Sequence, residues 1–395
     1  MRILFVHTFY YPEIVGGAEY SVKKLAEGLI SSGHEVYVLC SGEQTICEEI
    51  NGVTIYRIRT FIRRGENKKN FTAKVKHFSS EMYNPFDRET ICRVLDEINP
   101  DVIHTNCLYQ FSTSVWKYAN QKHIRIVHTI RDYFLSCYRT SMGCEGCDIP
   151  KLICKTYKSI NRKNSGFVDV VTAPSDVTLQ KSLNDGLFPQ SRSFCIPNAI
   201  DFDLSDVQKK SAEHKERIEN KNVYKFMYLG ALSERKGIRW LMDVFSKLNR
   251  PDVELYIAGK GDLIQLVEQT TNERSNIHFL GFLSSEEVEK EIGNSDILVV
   301  PSLWEEPFGR VVLDAYKQGV PVIACRSGGL ADIVKNERTG ILVEPNNSQE
   351  LSEAMLRLID DRMLYKRCCE NIPQKIQEYS IETQVERFVK LCYEI

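Results

Sequence analysis

Short apolar runs and amphipathic stretches alternate along the whole chain. Residues 2–7 and 35–40 are largely apolar runs, as expected of strands buried on both faces of a parallel sheet, and residues 21–31 between them have the spacing of one apolar helix face. The alternation restarts at residues 225–229 and continues through the apolar run 297–300. This pattern predicts an α/β chain built from doubly wound parallel sheets.

The length of the chain predicts two domains. A chain of 395 residues is too long for one hydrophobic core and suits two domains of nearly 200 residues each. Polar residues dominate positions 205–222, which is typical of a linker and a surface helix at a domain boundary. No apolar run approaches the length of a membrane span, and residues 1–12 read as a strand rather than a signal peptide, so we expect a cytoplasmic protein.

Charge is divided unevenly between the two halves. Residues 1–200 carry 25 Lys and Arg against 20 Asp and Glu, whereas the remainder carries 26 against 33. The first half is therefore expected to meet an anionic partner. Nucleic acid is not that partner, because no nucleic-acid-binding motif accompanies the charge. Basic and aromatic residues alternate over 61–83, which favours either peripheral contact with an anionic membrane, at the inner face of the cell membrane, or a solvated basic face.

Most of the 13 cysteines lie singly in apolar surroundings and read as reduced thiols. Four of them form a C-x6-C-x2-C-x6-C cluster, at Cys137, Cys144, Cys147 and Cys154. The cluster allows a structural zinc site, but a second close pair is missing, so reduced thiols in a loop remain the default interpretation.

The stretch 301–329, PSLWEEPFGRVVLDAYKQGVPVIACRSGG, carries the clearest candidate chemistry. It follows the buried run 297–300, so its loop lies at the carboxyl end of a parallel strand, where ligands of such sheets bind. Glu306 and Asp314 are eight residues apart, and if Glu306 begins the helix, both carboxylates point the same way. The alternative makes Glu306 a charge that stabilises the helix N-terminus and Asp314 a solvated residue.

This stretch closely resembles the E-x7-E region of glycosyltransferase family 4, whose members are retaining GT-B enzymes. The resemblance implies two Rossmann-like domains facing across a cleft, with a C-terminal helix that crosses back to the first domain. It implies that Glu306 faces the donor sugar and that Asp314, in place of the family's second glutamate, binds ribose hydroxyls. The implied domains are an acceptor domain at 1–200, a donor domain at 201–375 and a crossover helix at 376–395.

Two glycine-containing loops also match the family. The GGAE sequence at 16–19 implies that Gly16 and Gly17 border the donor diphosphate. The loop 230–237, GALSERKG, implies that Lys236 grips the diphosphate, with Ala231 at the family's arginine position and Arg235 as its replacement. A surface Arg-Lys pair is the alternative. The segment 278–283, HFLGFL, resembles the family segment whose backbone contacts the base, which implies a donor contact at Gly281. The resemblance of the stretch 301–329 implies further donor contacts at Phe308, Gly309 and Arg310.

A third matching segment follows the apolar run 125–129. The family pattern T.HDYW..C places Arg131 where a histidine faces the donor sugar, with Asp132 and Cys137 matching. His128 is a further donor-site candidate, although a buried residue at a strand end is the favoured interpretation for it. Asp201 and Asp203 imitate a DxD metal motif, but they occupy the crossover between the domains and read as structural.

The sequence thus predicts a retaining glycosyltransferase that needs no metal and no cofactor. It would move a sugar from a nucleotide-sugar donor, a UDP-sugar in preference to a GDP-sugar, to a hydroxyl of a glycan or lipid-linked acceptor in bacterial surface polysaccharide assembly. A nucleotide-sugar 2-epimerase or a phosphorylase on the same fold is one alternative. A non-catalytic scaffold that binds a sugar nucleotide is another.

Overall fold

The computed structural model describes residues 1–14, 16–61, 84–137 and 151–394. The chain divides into two compact units, Met1–Ala199 with Ile381–Ile395 and Ile200–Ser380. The boundary between the first and second units lies one residue before the predicted one, and the boundary before the C-terminal helix lies five residues after the predicted one. The second unit ends later than predicted because Tyr379 is buried in that unit's hydrophobic core.

The first unit is built on a twisted sheet with the strand order β3-β4-β2-β1-β5-β6-β7-β8. All neighbours are parallel except β3 and β4, which form an antiparallel pair at one edge. Alternate residues of β1 enter separate apolar clusters, with Ile3 and Phe5 on one face and Leu4 and Val6 on the other. Both faces are therefore covered, which explains the continuous apolar runs. The strands are β1 Arg2–Val6, β2 Glu35–Ser41, β3 Ile46–Ile50, β4 Val53–Ile58, β5 Val102–Thr105, β6 Arg125–Thr129, β7 Val170–Ala173 and β8 Arg192–Cys195.

Helices cover the faces of this sheet. The first of them begins earlier than the predicted residue 21, because the backbone N–H of Gly16 donates to the Glu19 carboxylate at 2.8 Å and so closes the first turn. The helices described in this unit before the crossover are α1 Gly17–Ser31, α2 Arg88–Ile98, α3 Ser114–Gln121, α4 Lys151–Ser165 and α5 Asp176–Asn184.

The second unit repeats the architecture with an entirely parallel sheet of order β11-β10-β9-β12-β13-β14. Its strands are β9 Tyr224–Leu229, β10 Val253–Ala258, β11 Ile277–Phe279, β12 Ile297–Val300, β13 Val322–Cys325 and β14 Gly340–Val343. Its helices are α6 Leu204–Arg217, α7 Ile238–Phe245, α8 Ile264–Glu273, α9 Ser285–Asn294, α10 Arg310–Lys317, α11 Leu330–Ile333, α12 Ser348–Asp360 and α13 Arg362–Ile376. The predicted pair of Rossmann-like α/β domains is confirmed.

The last helix, α14 Ile381–Phe388, packs on α1 of the first unit. It continues as a π-helical turn, Val389–Tyr393. The contact is close because position 28 is glycine: a Cβ there would lie 2.6 Å from a methyl of Ile381 and 2.9 Å from one of Val385. At the end of the chain, the Tyr393 hydroxyl lies 2.7 Å from His104 Nδ1, inside the sheet's core. The predicted return of the C-terminal helix to the first unit is confirmed.

Two sequence predictions fall partly outside the described residues. Residues 62–83, which contain most of the proposed membrane-contact segment, are not described, and neither are Cys144 and Cys147 of the cysteine cluster. Within the described ranges, no helix is long and apolar enough to cross a membrane, and no group of three or more His, Cys, Asp or Glu side chains is placed to hold a metal ion.

The DxD-like sequence at the crossover has a local structural role. Asp203 caps α6, where its Oδ1 accepts hydrogen bonds from the backbone N–H groups of Ser205 at 2.7 Å and Asp206 at 3.2 Å. The hydrogen bond from the Ser205 hydroxyl, followed by these two backbone hydrogen bonds, lowers the pKa of the Asp203 carboxyl. This use as a helix cap agrees with the structural interpretation of the motif.

Candidate active site

The strand order of the second unit reverses between β9 and β12, and ligands of doubly wound sheets bind outside the carboxyl ends of the strands at such a point. The loops that follow these two strands are joined directly. The backbone N–H groups of Leu303 and Trp304 both donate to the carbonyl oxygen of Arg235, at 2.9 and 3.1 Å. The loop 230–237 and the loop 301–309 therefore form one surface at the expected binding edge.

Gly237 makes this close approach feasible. Its φ is +72°, and a Cβ at this position would lie 1.8 Å from the carbonyl oxygen of Pro301. No other residue type fits without moving one of the loops. The turn Glu234–Lys236 that precedes Gly237 is thereby held against the start of the loop 301–309.

Lys236 and Glu306 meet at this junction. Lys236 Nζ donates to Glu306 Oε1, and the same oxygen accepts a hydrogen bond of 2.8 Å from the Ser302 hydroxyl. The Glu306 side chain is 10% exposed and that of Lys236 is 30% exposed, so the pair lies at the edge of the interior. Lys236 is thus not part of a solvated surface pair, and the carboxylate of Glu306 serves Lys236 and Ser302 rather than a helix end.

The indole ring of Trp304 supports both cations of this loop. The Arg235 guanidinium lies 5.4 Å from the ring centroid, and Lys236 Nζ lies 5.3 Å from it. Cations at this distance from an aromatic ring are attracted to it. The structure therefore brings Arg235 and Lys236 to one aromatic side chain, and Lys236 joins them to Glu306.

The backbone of Glu306 is fixed by the loop that follows β13. The Gly329 N–H donates to the Glu306 carbonyl at 2.7 Å. Gly328 has φ +56°, and a Cβ there would lie 2.1 Å from the same carbonyl oxygen. The two glycines that end the 301–329 motif therefore position the carboxylate loop.

Asp314 lies on α10, but its predicted helical relation to Glu306 is wrong. The helix begins at Arg310, after Gly309 with φ +101°, so Glu306 belongs to the loop and does not share the helix face. Asp314 Oδ1 instead lies 3.8 Å from Arg310 Nε, and about a quarter of its side chain is exposed (24%). Burial raises the pKa of Asp314, and the charges of Arg310 and Lys317 oppose that shift.

Two of the predicted donor contacts have packing roles. The Phe308 ring is buried in the core cluster of the second unit, with its centroid 6.1 Å from that of Tyr379. We therefore correct its assignment from donor contact to core. A Cβ on Gly309 would lie 2.4 Å from the Leu330 side chain, so this glycine is needed for the packing of α10 against α11.

Gly281 lies in the turn after β11 and faces open space. No heavy atom lies within 4 Å of the position that a Cβ would take, and its carbonyl oxygen accepts a 2.8 Å hydrogen bond from the Gly259 N–H. The neighbouring Phe282 ring is 69% exposed, and Lys260 Nζ lies 4.5 Å from its centroid. An open turn beside an exposed aromatic ring has room for a planar base.

In the first unit, the predicted glycine pair occupies the start of α1. The N–H of Gly16 is already taken by Glu19 Oε2, so this amide is not available to a phosphate in the structure, contrary to the prediction. Gly17 is the first helical residue, where the amide groups of a helix lack intrahelical partners. Of the pair, Gly17 has the amide placed at the open start of the helix, and its contact with the diphosphate stays a prediction.

Arg131 lies just beyond the carboxyl end of β6. Its Nε donates to the Asn106 side-chain oxygen at 2.7 Å, and its Nη1 donates to that of Asn198 at 2.6 Å. Nη2 is buried without a hydrogen-bond partner among the described residues. His7, which follows β1, is also fully buried, and burial followed by the charge of Arg131 lowers its pKa to about 3.

His128 is a core residue rather than a donor ligand. Its ring centroid lies 5.5 Å from that of Phe188 and 5.1 Å from that of Trp116, and its Nδ1 lies 3.0 Å from the Thr105 hydroxyl. Burial, followed by the charge of Arg131, lowers the pKa of His128 to about 3, so the ring is neutral. The packed interior position corrects its assignment to the donor site.

Sequence reasoning missed Ser302, Asn106, Asn198 and His7. Ser302 lies inside the stretch 301–329. His7 and Asn106 directly follow strands, and Asn198 lies three residues after the end of β8. Polar residues at the carboxyl ends of parallel strands were the available signal. Which of these residues contact one another depends on the order of the strands in the sheet, and the sequence does not show that order.

The comparisons with known proteins agree with this architecture. A family model described as Glycosyltransferase Family 4 matches residues 15–204, and one described as Glycosyl transferases group 1 matches residues 209–375. A glycosyltransferase of Methanocaldococcus jannaschii is 30% identical over 91% of this chain and 90% of its own length. The O-antigen chain mannosyltransferase C of Escherichia coli is 25% identical over 99% of this chain and 98% of its own.

Two solved structures share the fold. Sucrose-phosphate synthase from Thermosynechococcus elongatus has a TM-score of 0.75 at 21% identity, with 99% of this chain and 98% of that chain covered. The HepE protein of Anabaena, solved in complex with UDP, has a TM-score of 0.71 at 18% identity, with all of both chains covered. At these identities the likeness concerns the fold alone.

Proposed function

The chain belongs to glycosyltransferase family 4, and we propose that it transfers a hexosyl residue from a nucleotide sugar, preferably a UDP-sugar, to a hydroxyl acceptor with retention at the anomeric carbon. The glycosyltransferase activity follows from the family. The donor, the stereochemistry and independence from metal ions are part of the proposal.

The observation that carries the proposal is the pair of Lys236 and Glu306 at the switch point of the second sheet. A sugar transfer from a nucleotide needs a cation for the departing diphosphate and a polar group that orients the sugar. Lys236 supplies the cation, and Glu306 supplies an acceptor for sugar hydroxyls. Arg235 also lies against the Trp304 ring and adds a second positive charge.

Cationic side chains can perform the work that a metal ion performs in other glycosyl transfers. Charge develops on the leaving diphosphate in the transition state, and fixed donors that meet this charge lower the barrier. Lys236 and Arg235 are the groups of the second unit suited to that role. The proposed reaction therefore requires no divalent metal.

The relatives favour an acceptor from surface glycan assembly. The E. coli relative is an O-antigen chain mannosyltransferase, and its likeness extends over almost the whole chain. We infer a hydroxyl of a growing glycan or lipid-linked saccharide as the acceptor. Contact with an anionic membrane through residues 61–83 remains a prediction from the sequence.

A ligand screen followed by one substitution tests the proposal. UDP, GDP and ADP, each with its glucose or mannose derivative, are compared for the rise in melting temperature that a ligand of the native state produces. The nucleotide sugar that binds is then assayed for hydrolysis and transfer with wild type and Glu306→Ala. We expect a UDP-sugar to bind and Glu306→Ala to abolish turnover. Equal turnover in both proteins would contradict the assignment, and binding without any turnover would instead indicate a non-catalytic sugar-nucleotide-binding protein.

A further inference from the structure

Arg131 is held in a way that leaves part of its guanidinium free. A guanidinium has five N–H donors in one plane. Asn106 takes the donor on Nε, and Asn198 takes one of the two on Nη1. One Nη1 donor remains, and the Nη2 group, with two N–H donors, has no partner within the described residues. Free N–H donors on a guanidinium bind the oxygens of a carboxylate or phosphate.

The charge of Arg131 is also incompletely balanced. Both of its hydrogen-bond partners are neutral amides, and burial lowers its pKa to about 10. Cys107, followed by Glu19, opposes this shift. A buried charge without a close counter-ion is costly, and such groups are normally paired. An anionic ligand would supply the missing charge.

His7 adds a second unpartnered donor at the same edge of the sheet. Its Nδ1 accepts a 3.3 Å hydrogen bond from the Phe9 N–H, which leaves the proton of the neutral ring on Nε2. Nε2 is buried and has no partner among the residues that the structure describes. His7 and Arg131 follow β1 and β6, which are separated in the sheet only by β5, the strand that Asn106 follows.

We infer that Arg131 binds an oxyanion, a carboxylate or phosphate group, carried by one of the two substrates, and that it makes the enzyme selective for a charged sugar. This inference rests on the proposed function, since it names the class of substrate for the same transfer. Asn106 and Asn198 are positioning residues that fix the plane of the guanidinium. The charged group can come from a hexuronic acid in the donor or from a uronate or phosphate on the acceptor.

Donor and acceptor sources are distinguished in separate binding experiments. In the donor experiment, dissociation constants of UDP-glucuronate and UDP-galacturonate are compared with those of UDP-glucose and UDP-galactose. In the acceptor experiment, saturating UDP occupies the nucleotide site, and methyl glucuronide and glucose 6-phosphate are compared with methyl glucoside. The measured quantity is the ratio of neutral to anionic dissociation constants, for wild type and for variants at position 131.

We expect wild type to prefer the anionic ligand by at least about tenfold in one experiment, which corresponds to ~1.4 kcal/mol. Arg131→Gln should remove that preference while the neutral ligand binds as before. Arg131→Lys keeps the charge but not the planar fork, so an intermediate ratio is expected. Arg93→Gln, which removes an exposed arginine paired with Glu89 on α2, should leave the ratio at the wild-type value.

Three outcomes would overturn the inference. The first is that wild type shows no preference for an anionic ligand, and the second is that Arg131→Gln leaves the ratio unchanged. The third is that Arg131→Gln weakens the binding of charged and neutral ligands equally, which would indicate a structural role for Arg131. If Arg131→Gln fails to fold, Arg131→Lys provides the test: an intermediate ratio supports the inference, and a ratio equal to that of wild type overturns it. Failure of the proposed function gives a different result, because the protein would then bind no nucleotide sugar, charged or neutral.

Discussion

Lys236 Nζ and Glu306 Oε1 form a direct ion pair between the loops that follow β9 and β12. The cation assigned to the donor diphosphate and the carboxylate assigned to the donor sugar are therefore each other's partners. A donor must replace this contact or bridge it. Because Ser302 also donates to Glu306 Oε1, the carboxylate keeps one hydrogen bond when Lys236 turns to a ligand.

Replacing Lys236 by alanine should reduce turnover strongly without unfolding the protein. Loss of one fixed donor to the leaving group typically costs about 10²- to 10³-fold in kcat, or ~3–4 kcal/mol of transition-state stabilisation. Steady-state transfer and the melting temperature are measured together. Lys247→Ala, at an exposed lysine of the same unit, is the control and should retain activity. Near-normal turnover of Lys236→Ala would remove Lys236 from the site.

Asp314→Asn should raise the donor KM strongly and change kcat less. A carboxylate that accepts ribose hydroxyls binds the ground state and the transition state about equally, so its loss appears in KM. Asp314→Glu should be tolerated. The matched control is Asp243→Asn, at an exposed position on α7. An unaltered donor KM in Asp314→Asn would show that the carboxylate serves only its contact with Arg310.

Treatment with a chelator should leave the transfer rate unchanged. The positive charges of Lys236 and Arg235 serve the diphosphate in the proposed mechanism, and Asp203 is engaged as a helix cap. Initial rates with EDTA, and after addition of Mg²⁺ or Mn²⁺, provide the test. A loss that these ions restore would contradict metal independence. Slow unfolding under chelation would instead favour zinc at the cysteine cluster.

Gly28→Ala should destabilise the first unit although alanine is the better helix former. The new methyl would meet the Ile381 and Val385 side chains at 2.6 and 2.9 Å. Overpacking of this kind costs ~1–3 kcal/mol, which exceeds the gain of ~1 kcal/mol from helix propensity. Chemical denaturation measures the difference. Ser31→Ala, on the exposed side of α1, is the control, and a stabilised Gly28→Ala protein would refute the close packing of α14 on α1.

Stability should fall with acid partly through His214. Burial, then the charges of Arg217 and Lys221, lower its pKa from 6.5 to about 3. Between about pH 6.5 and 3, His214 is protonated in the unfolded chain but not in the folded protein. The free energy of unfolding that is present above pH 6.5 is therefore lost as the pH falls towards 3. One such group contributes ~1.4 kcal/mol per pH unit in this window.

His214→Gln should reduce the slope of the unfolding free energy against pH by about one proton between pH 6 and 4. Denaturant unfolding at several pH values measures this slope. His123→Asn, at an exposed position with φ +57° that asparagine tolerates, is the control for the replacement of a histidine. An unchanged slope in His214→Gln would show that His214 is protonated equally in both states.

The sequence by itself determined the α/β class and the division into two domains, because these depend on periodicity and length. The Rossmann-like pairing of the domains and the return of the last helix were implied by the resemblance to the family, which local motifs carry. The apolar runs at β1 and β12 predicted buried strands directly, and Gly237 and Gly329 marked loops at the binding edge. The motif also led to Glu306 and Lys236, since residues at the carboxyl ends of parallel strands share one edge of a sheet.

Only the tertiary structure decided which of these residues touch. The left-handed conformation of Gly309 delays the start of α10, so Glu306 and Asp314 do not share a helix face. Strand order places β5 between β1 and β6, which brings Asn106 to Arg131, while Asn198 arrives from the end of the unit. His128 and Phe308 look like site residues in the sequence, but the rings that pack against them make them core. Such contacts join residues distant in the chain, and local pattern contains no information about them.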